Sequence, residues 1–192
     1  MTAATPTDEV LAGQAAKGDE RAFALLVGRH KEALYRLLRR YTGDADEAYE
    51  AVHEAFVAAW AALGRYDPAR AFGPWLRTIA INKARDRGRK MAVRRFFFGS
   101  VAPDDALARA VDPGLAADDQ LRQRQTMGLL EQAVAKLPDA LKAPLVLTAF
   151  EGLSHEEAAA ILGVTAKAVE TRIYRARKTL ATTLDPEAFR DR

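Results

Sequence analysis

The sequence predicts an all-α protein made of two small helical domains joined by a flexible linker, with a helix-turn-helix in the second domain. Three observations predict this fold. Apolar residues recur every three or four positions along nearly the whole chain, and no stretch alternates as a β-strand does. Glycine and proline divide the periodic stretches into segments of helix length. Residues 96–117 interrupt the periodicity with Gly99, Pro103, Pro113 and Gly114.

Each predicted helix is bounded by a cap, a glycine or a proline. The first domain comprises residues 8–92, and its predicted helices span 8–17, 20–40, 45–63 and 73–90. The linker comprises residues 93–121. The second domain comprises residues 122–184, and its predicted helices span 122–136, 139–151, 155–162 and 166–182. Asp19 and Gly73 stand at cap positions, and Pro74 suits a first turn, where its missing N–H costs nothing.

The composition excludes several classes of protein. The 192-residue chain has no cysteine, which removes disulfides, thiolate metal sites and cysteine nucleophiles and fits a reducing cytoplasm. The amino terminus has no basic start followed by an apolar run, and no window approaches the roughly 18 apolar residues of a membrane span. We therefore expect a cytoplasmic protein with no membrane insertion of its own.

Positive charge is concentrated although the formal net charge is only +3. Residues 77–95 contain eight basic residues and one acid, Asp86. The stretch 103–119 reverses the sign, with five aspartates against Arg109. The basic segment is typical of a surface that binds a polyanion.

Residues 153–180 predict a helix-turn-helix that binds DNA. Ser154 and Glu157 can form a capping box, Gly163 supplies the turn, and Thr165 caps the second helix. Four apolar residues of the second helix are spaced to point inward: Val169, Ile173, Ala176 and Leu180. Basic residues fall mostly elsewhere: Lys167, Arg172, Arg175, Arg177 and Lys178. The alternative is a pair of surface helices with solvated arginines.

An enzyme is not expected. His53 and His155 each begin a sequence like that of a zinc protease, but the residues four positions beyond are Val57 and Ala159, so the second ligand is missing. No phosphate-binding GxxxxGK occurs, and no residues stand at a recognisable catalytic or metal-binding spacing. We predict neither a cofactor nor a metal.

Two parts of the chain resemble bacterial sigma factors of the extracytoplasmic function group. The segments EAYEAVHEAFVAAWAAL (47–63) and GRYDPARAFGPWLRTIAINKARDRGRK (64–90) resemble the half that binds polymerase and melts promoters. The segment 130–164, with EGLS at 151–154, resembles the second conserved domain of the group. The resemblance implies that the first domain binds core RNA polymerase and melts the minus-ten element, and that the second domain binds the minus-thirty-five element.

The helix at 45–63 carries an acidic stripe on which the family docks to core polymerase. The residues implied in this contact are Glu47, Glu50, His53 and Glu54. A solvated helix face is the alternative interpretation. Four apolar residues of the same helix are expected to face the core: Val52, Phe56, Val57 and Trp60.

The loop 64–73 and the helix after it carry the residues implied in melting and minus-ten binding: Arg65, Tyr66, Arg70, Phe72, Trp75, Asn82, Arg85, Asp86 and Arg89. Extruding a base costs a few kcal/mol and a pocket returns roughly 1–3 kcal/mol per base, so capture needs no ATP. Tyr66 and Arg65 are the favoured base contacts. Phe72 and Trp75 have an alternative explanation as core residues that close the loop.

The second helix of the helix-turn-helix is the implied reader of the minus-thirty-five element. Its start favours a phosphate near Thr165, and three residues besides Lys167 are placed to reach base edges: Glu170, Thr171 and Arg172. The remaining basic residues are expected to meet phosphates: Arg175, Arg177 and Lys178.

The linker sets a geometric condition on this assignment. The two promoter elements are roughly 50 Å apart, whereas the linker spans about 25–30 Å as a relaxed coil and roughly 70 Å fully extended. We therefore expect the free protein to be compact or flexible, with polymerase holding the domains apart. The acidic linker suits a segment threaded through a basic channel, or a plain solvated linker.

Three consecutive aromatic residues, Phe96, Phe97 and Phe98, are predicted to pack on the first domain or on a partner. The resemblance implies an anti-sigma factor as one partner. Two alternatives to a sigma factor stay open: an autonomous helix-turn-helix regulator, and a sigma-mimicking module that binds an anti-sigma factor.

Overall fold

The computed structural model describes residues 5–98 and 118–184. The first unit holds α1 (Asp8–Ala15), α2 (Glu20–Thr42), α3 (Ala45–Ala62), a 3₁₀ turn (Leu63–Arg65) and α4 (Phe72–Phe98). The second holds α5 (Asp118–Ala135), α6 (Asp139–Leu145), α7 (His155–Leu162) and α8 (Ala166–Thr183). Over these two ranges there is no β-strand, as predicted. No helix within them is long and apolar enough to cross a membrane.

Aspartate side chains cap the N-termini of α2 and α3 in the first unit. The Asp19 carboxylate accepts hydrogen bonds from the backbone N–H groups of Arg21 and Ala22, at 2.9 and 3.1 Å, and caps α2 as predicted. Asp44 caps α3 by accepting from the N–H of Glu47 at 2.8 Å. The prediction of Gly73 as a cap is wrong, because α4 already begins at Phe72.

The core of the first unit lies between α2, α3 and α4. Alanines dominate the buried face of α3, and four of them are fully covered: Ala48, Ala51, Ala55 and Ala59. Such small side chains let helices approach closely. Leucines of α2 fill the space opposite, and α4 contributes Leu76, Ala80 and Ile81. The close packing fixes which faces of α3 and α4 point outward.

The helix predicted at 139–151 is divided in two. The α-helical part ends at Leu145, and a π-helical segment covers Val146–Phe150. Pro144 lies just before the change and has no N–H for the α-helical ladder. The Glu151 N–H donates to the Val146 carbonyl, five residues back, at 3.2 Å. This is the hydrogen-bond spacing of a π-helix.

The helix-turn-helix begins and turns at the predicted residues. The Glu157 N–H donates to the Ser154 hydroxyl at 3.1 Å, and the Glu157 carboxylate accepts from the Ser154 N–H at 2.8 Å, so the capping box is complete. Gly163 has a φ of 66°, in the left-handed region. Thr165 caps α8 by accepting from the Ala168 N–H at 3.1 Å.

The segment between the units is shorter than the linker predicted at 93–121. No glycine or proline occurs from Met91 to Phe98, so α4 continues beyond its predicted end at residue 90. The next helix begins at Asp118 instead of residue 122. Residues 99–117, which carry the aspartates at 104, 105 and 112, lie outside the described residues.

Candidate DNA-binding and partner-binding surfaces

The outer face of α8 is polar and largely cationic. The inner face is buried through Val169, Ile173, Ala176 and Leu180, as predicted, and this fixes the rotation of the helix. The exposed residues include Thr165, Lys167, Glu170, Thr171, Arg175, Arg177 and Lys178, whereas Arg172 is half-buried. Sequence reasoning missed Tyr174, which is 70% exposed and lies one turn beyond Glu170. A major-groove reader needs such a face.

The aromatic residues of the loop after α3 form a cluster instead of an open platform. The ring centroid of Tyr66 lies 5.7 Å from that of Phe72 and 5.0 Å from that of Trp75. The Tyr66 hydroxyl donates to the carbonyl of Arg70. Tyr66 is buried and Phe72 is fully covered, so both stabilise the loop from inside. The structure therefore corrects the preference for Tyr66 as a base contact.

Two exposed side chains of this loop are basic, and one, Asp67, is acidic. Arg65 is exposed, and Arg70 is exposed with only a loose ion pair to Asp67, at 3.7 Å. Trp75 is half-buried against the core, as its alternative explanation predicted. A base that entered here would meet cationic side chains first and the edge of the aromatic cluster next.

The first helix anchors this loop, a role that sequence reasoning missed. The Glu9 carboxylate accepts a hydrogen bond from the Phe72 N–H at 3.4 Å. Beside it, Asp8 accepts from Arg29 at 2.7 Å and pairs with His30 at 2.6 Å. The His30 ring packs on Phe72, with centroids 5.4 Å apart. No local periodicity predicts these contacts, because they join residues 21 or more positions apart.

We expect Asp8→Asn to lower the free energy of unfolding by about 1 kcal/mol at neutral pH. Burial would raise the pKa of Asp8, but hydrogen bonds from Arg29 and His30 hold that pKa below its ordinary value. The carboxylate therefore contributes stability above the unfolded-state pKa of about 4 and loses it as pH falls through the folded-state pKa. Urea unfolding at pH 7 and pH 3 should show a penalty that shrinks in acid. The exposed Glu32→Gln is the control, and an equal penalty at both pH values would contradict the assignment.

The outer face of α4 carries the predicted minus-ten residues in an ordered polar row. The Arg85 guanidinium donates to the Asn82 amide oxygen at 3.4 Å. Arg89 pairs with Asp86, so that acid orients an arginine. Asn82, Asp86 and Arg89 are exposed, and Arg85 is half-buried. The row therefore offers one amide to a base edge and two cations to phosphates.

The acidic stripe on α3 is divided by Arg87 of α4. The Arg87 guanidinium donates to Glu47 at 3.0 Å and to Glu54 at 2.6 Å. Glu50 and His53 stay exposed. Glu47 and Glu54 thus connect α3 to α4. Glu50 and His53 are the members of the stripe that face outward.

An apolar groove of about 520 Å³ opens between α2 and α3 on the same side as His53. Its lining is mainly apolar and aromatic: Phe23, Val27, Tyr49, Val52, Phe56, Val57 and Trp60, with Glu20, Lys31 and His53 at the edge. The prediction that Val57 and Trp60 face the core is wrong, because they are 57% and 38% exposed. The buried face of α3 is already filled by its alanines.

Comparison with known proteins identifies the family. Sigma-70 region 2 matches residues 26–94, and Sigma-70, region 4 matches residues 127–180. The RNA polymerase sigma factor CnrH of Cupriavidus metallidurans is 41% identical over 185 residues, covering 94% of this chain and 96% of that protein. The ECF RNA polymerase sigma factor SigW of Bacillus subtilis is 33% identical over 170 residues, covering 87% and 91%.

This chain belongs to the extracytoplasmic function group of sigma-70 factors. The sigma factor is a transcription initiation factor and not an enzyme. Its fold matches the solved structure of CnrH in complex with the cytosolic domain of CnrY with a TM-score of 0.66 and 36% identity, covering 93% of this chain and 97% of that one.

The two helical units of this sigma factor contact one another. Arg40 of α2 lies between Glu131 and Glu151, at 3.7 and 3.6 Å, and its guanidinium stands 5.2 Å from the ring centroid of Phe150. The Thr78 hydroxyl of α4 donates to the Ile161 carbonyl at 3.3 Å. The described conformation is therefore closed, which is one of the two free forms, compact or flexible, expected from the linker.

A second set of contacts lies at the end of α2. The Tyr41 hydroxyl donates to Asp139 at 3.0 Å, and the Lys142 ammonium stands 4.9 Å from the Tyr41 ring centroid. Burial and the negative charge of Asp139 raise the pKa of Tyr41, and burial lowers that of Lys142. Both groups lie at the contact between the two units.

We expect Gly43→Ala to open this closed form. Gly43 has a φ of 75°, and an added Cβ would collide with the Cβ of Ala135. Gly18→Ala is a matched control, because Gly18 has a φ of 94° but nothing within 4 Å of the added Cβ. Both variants carry about 1 kcal/mol of left-handed strain. Small-angle X-ray scattering should show a larger radius of gyration for Gly43→Ala alone, and equal radii for both variants would contradict the prediction.

Two aromatic residues near the end of α4, Phe96 and Phe97, do not pack on the first unit. Phe96 and Phe97 are 83% and 72% exposed, with their rings edge to face at 5.4 Å. Of the two predicted locations, packing on the first domain is therefore wrong for this pair. The side chain of Phe98 lies outside the described residues.

Proposed function

We propose that the two units of this sigma factor divide the work of initiation. The second unit, with α8 in the major groove, binds the minus-thirty-five element, and the first binds core polymerase and melts the minus-ten element. The observation that carries the proposal is the pairing of a cationic recognition helix with a second basic helix, α4, that starts beside an aromatic-walled loop. Direct reading and single-strand capture need those two chemistries.

Core polymerase docks on the α2–α3 groove in this proposal. The groove has an apolar lining of the kind that accepts one face of an amphipathic helix. His53 lines it, and Glu50 is exposed one turn earlier on α3, so both can add polar specificity. Glu47 and Glu54 act indirectly by fixing α3 against α4 through Arg87. The implied set of docking residues is thereby divided into direct contacts and supports.

Strand capture takes place at the loop before α4. Arg65 and Arg70 attract the strand, and the exposed part of Trp75 offers a stacking surface. Tyr66 and Phe72 hold the wall of that site rigid from within. Asn82, Arg85 and Arg89 then hold the adjoining duplex along α4.

Initiation requires the closed form to open. The promoter elements are roughly 50 Å apart, whereas Thr78 and Ile161 are in contact in the closed form. Polymerase binding supplies the free energy that replaces the contacts of Arg40 and Tyr41. The free protein in the cytoplasm is thus kept from binding both elements alone.

An anti-sigma factor is proposed as a further partner. The relative CnrH is solved with the cytosolic domain of CnrY. A segment of such a partner that covered Val57 and Trp60 in the groove would exclude polymerase directly. Bound protein would then stay inactive without any change in its DNA-binding helices.

Reconstitution with core polymerase tests the proposal. Open-complex formation and transcription are measured on a library of promoter fragments, with polymerase-free binding alongside. Polymerase-dependent melting at selected sequences is expected. Specific binding without polymerase and no initiation with it would favour an autonomous regulator, and inactivity in both assays with tight anti-sigma binding would favour a sigma mimic.

The recognition helix has its own control in this assay. Arg175→Ala is expected to weaken promoter binding across sequences and to reduce the salt-dependence slope by about one. Arg36→Ala, which removes an exposed arginine on α2, leaves the slope unchanged. Equal slopes for the two variants would place α8 away from the DNA.

A further inference from the structure

We propose that Glu170 selects a cytosine in the minus-thirty-five element, as the acceptor of a hydrogen bond from the base. This inference rests on the proposed function of α8 and deepens it. Glu170 is an exposed acid on a face that is otherwise mostly basic. A carboxylate there faces the negative potential of the duplex, which opposes binding. Lys167 offsets part of this charge, and a donor on the DNA can compensate the rest.

The position of Glu170 on α8 is fixed by its neighbours. Val169 and Ile173 are buried on either side of it in sequence, so the helix cannot rotate to remove the acid from the outer face. Glu170 lies within the first two turns after the Thr165 cap, in the part of a recognition helix that meets base edges. Its location is that of a reader.

One oxygen of the carboxylate is committed and the other is available. The Lys167 ammonium lies 2.8 Å from Oε2 of Glu170. The hydrogen bond from Lys167 and its charge hold the pKa of Glu170 below its ordinary value, so the side chain is ionised and accepts only. The Thr171 hydroxyl is turned back to the Lys167 carbonyl at 2.9 Å. Oε1 is thus left to accept from the DNA.

The chemistry of the base edges points to cytosine. Two bases present an amino donor in the major groove, cytosine at N4 and adenine at N6. The adenine donor lies between two acceptors, its own N7 and the thymine O4, and both repel a carboxylate. The cytosine donor has an acceptor on one side only, guanine O6, and that acceptor suits the ammonium of Lys167.

Folding does not require the ion pair between Lys167 and Glu170. An exposed pair three residues apart on a helix contributes little to stability. A change at Glu170 is therefore expected to alter the preferred DNA sequence and to leave the fold intact. An altered preference can then be assigned to the lost carboxylate.

The test uses holoenzyme assembled from the full chain and core polymerase. Promoters that vary every base of the minus-thirty-five element are scored for binding and initiation with the wild type, Glu170→Ala and Glu170→Gln. At one position the wild type should prefer cytosine by about 5- to 50-fold. Glu170→Ala should lose that preference, and Glu170→Gln should shift it toward adenine, which glutamine can bind through N6 and N7. Lys167→Ala should weaken the same preference.

Glu156→Gln is the control, because it removes one exposed negative charge from α7 of the same unit. It should change affinity without changing preference at any position. If Glu170→Ala behaves like Glu156→Gln across the whole library, the acid acts as a charge alone and the inference fails while the proposed function stands. Absence of initiation by the wild type on every promoter would instead refute the proposed function.

Discussion

Val57→Glu is expected to lower the affinity of this sigma factor for core polymerase at least about 30-fold, or about 2 kcal/mol. Val57 is 57% exposed and lines the α2–α3 groove, so glutamate is tolerated in the free protein. When a partner helix covers the groove, the new carboxylate becomes a buried charge without a partner, which is costly. Equilibrium binding to core polymerase, with the thermal melting of each free protein, measures the effect.

Val10→Glu is the matched control for this prediction. Val10 is 50% exposed on α1 and lies outside the groove, so the same substitution occurs in a helix of the same unit. It should leave polymerase affinity within about twofold, since surface substitutions away from a contact have small effects. If both variants bind polymerase as well as the wild type does, the groove is not the docking site.

Phe72→Ala is expected to reduce the free energy of unfolding by about 3–5 kcal/mol. Phe72 is fully buried, and it packs against Tyr66, Trp75 and His30 at the start of α4. Truncation leaves a cavity beneath the loop and frees the aromatic cluster. Promoter melting should therefore fail at temperatures where the variant is still folded, as permanganate reactivity of minus-ten thymines would show.

Phe97→Ala is the control for Phe72→Ala, because it removes an aromatic ring that is not packed in the core. Phe97 is 72% exposed, and its removal should change the free energy of unfolding by less than about 0.5 kcal/mol. Urea denaturation of the two variants gives the comparison. A Phe72→Ala protein as stable as Phe97→Ala would mean that the loop is not organised around this ring.

The helix-turn-helix was predictable from sequence because its signals are local. The capping box of Ser154 and Glu157, the turn at Gly163 and the cap at Thr165 each depend on residues a few positions apart. The inner face of α8 follows from helical periodicity alone. All of these expectations are confirmed by the structure.

The outward face of α3 could not be predicted in the same way. Apolar residues surround this helix, so periodicity does not say which side a neighbouring helix covers. The alanines take the buried side and leave Val57 and Trp60 exposed in the groove. The long-range contacts of His30 with Asp8, and of Arg40 with Glu151, carry no sequence signal either, because neither partner is close in the chain.

Arg87 has a mechanical consequence for the first unit. It grips α3 at Glu47 and Glu54, two points about two helical turns apart. Contacts at two such points oppose rotation of α3 about either one, so we expect α3 and α4 to move as one rigid body. If α4 holds DNA as proposed, a displacement of α4 would be passed through Arg87 to α3 and so to the surface beside the groove.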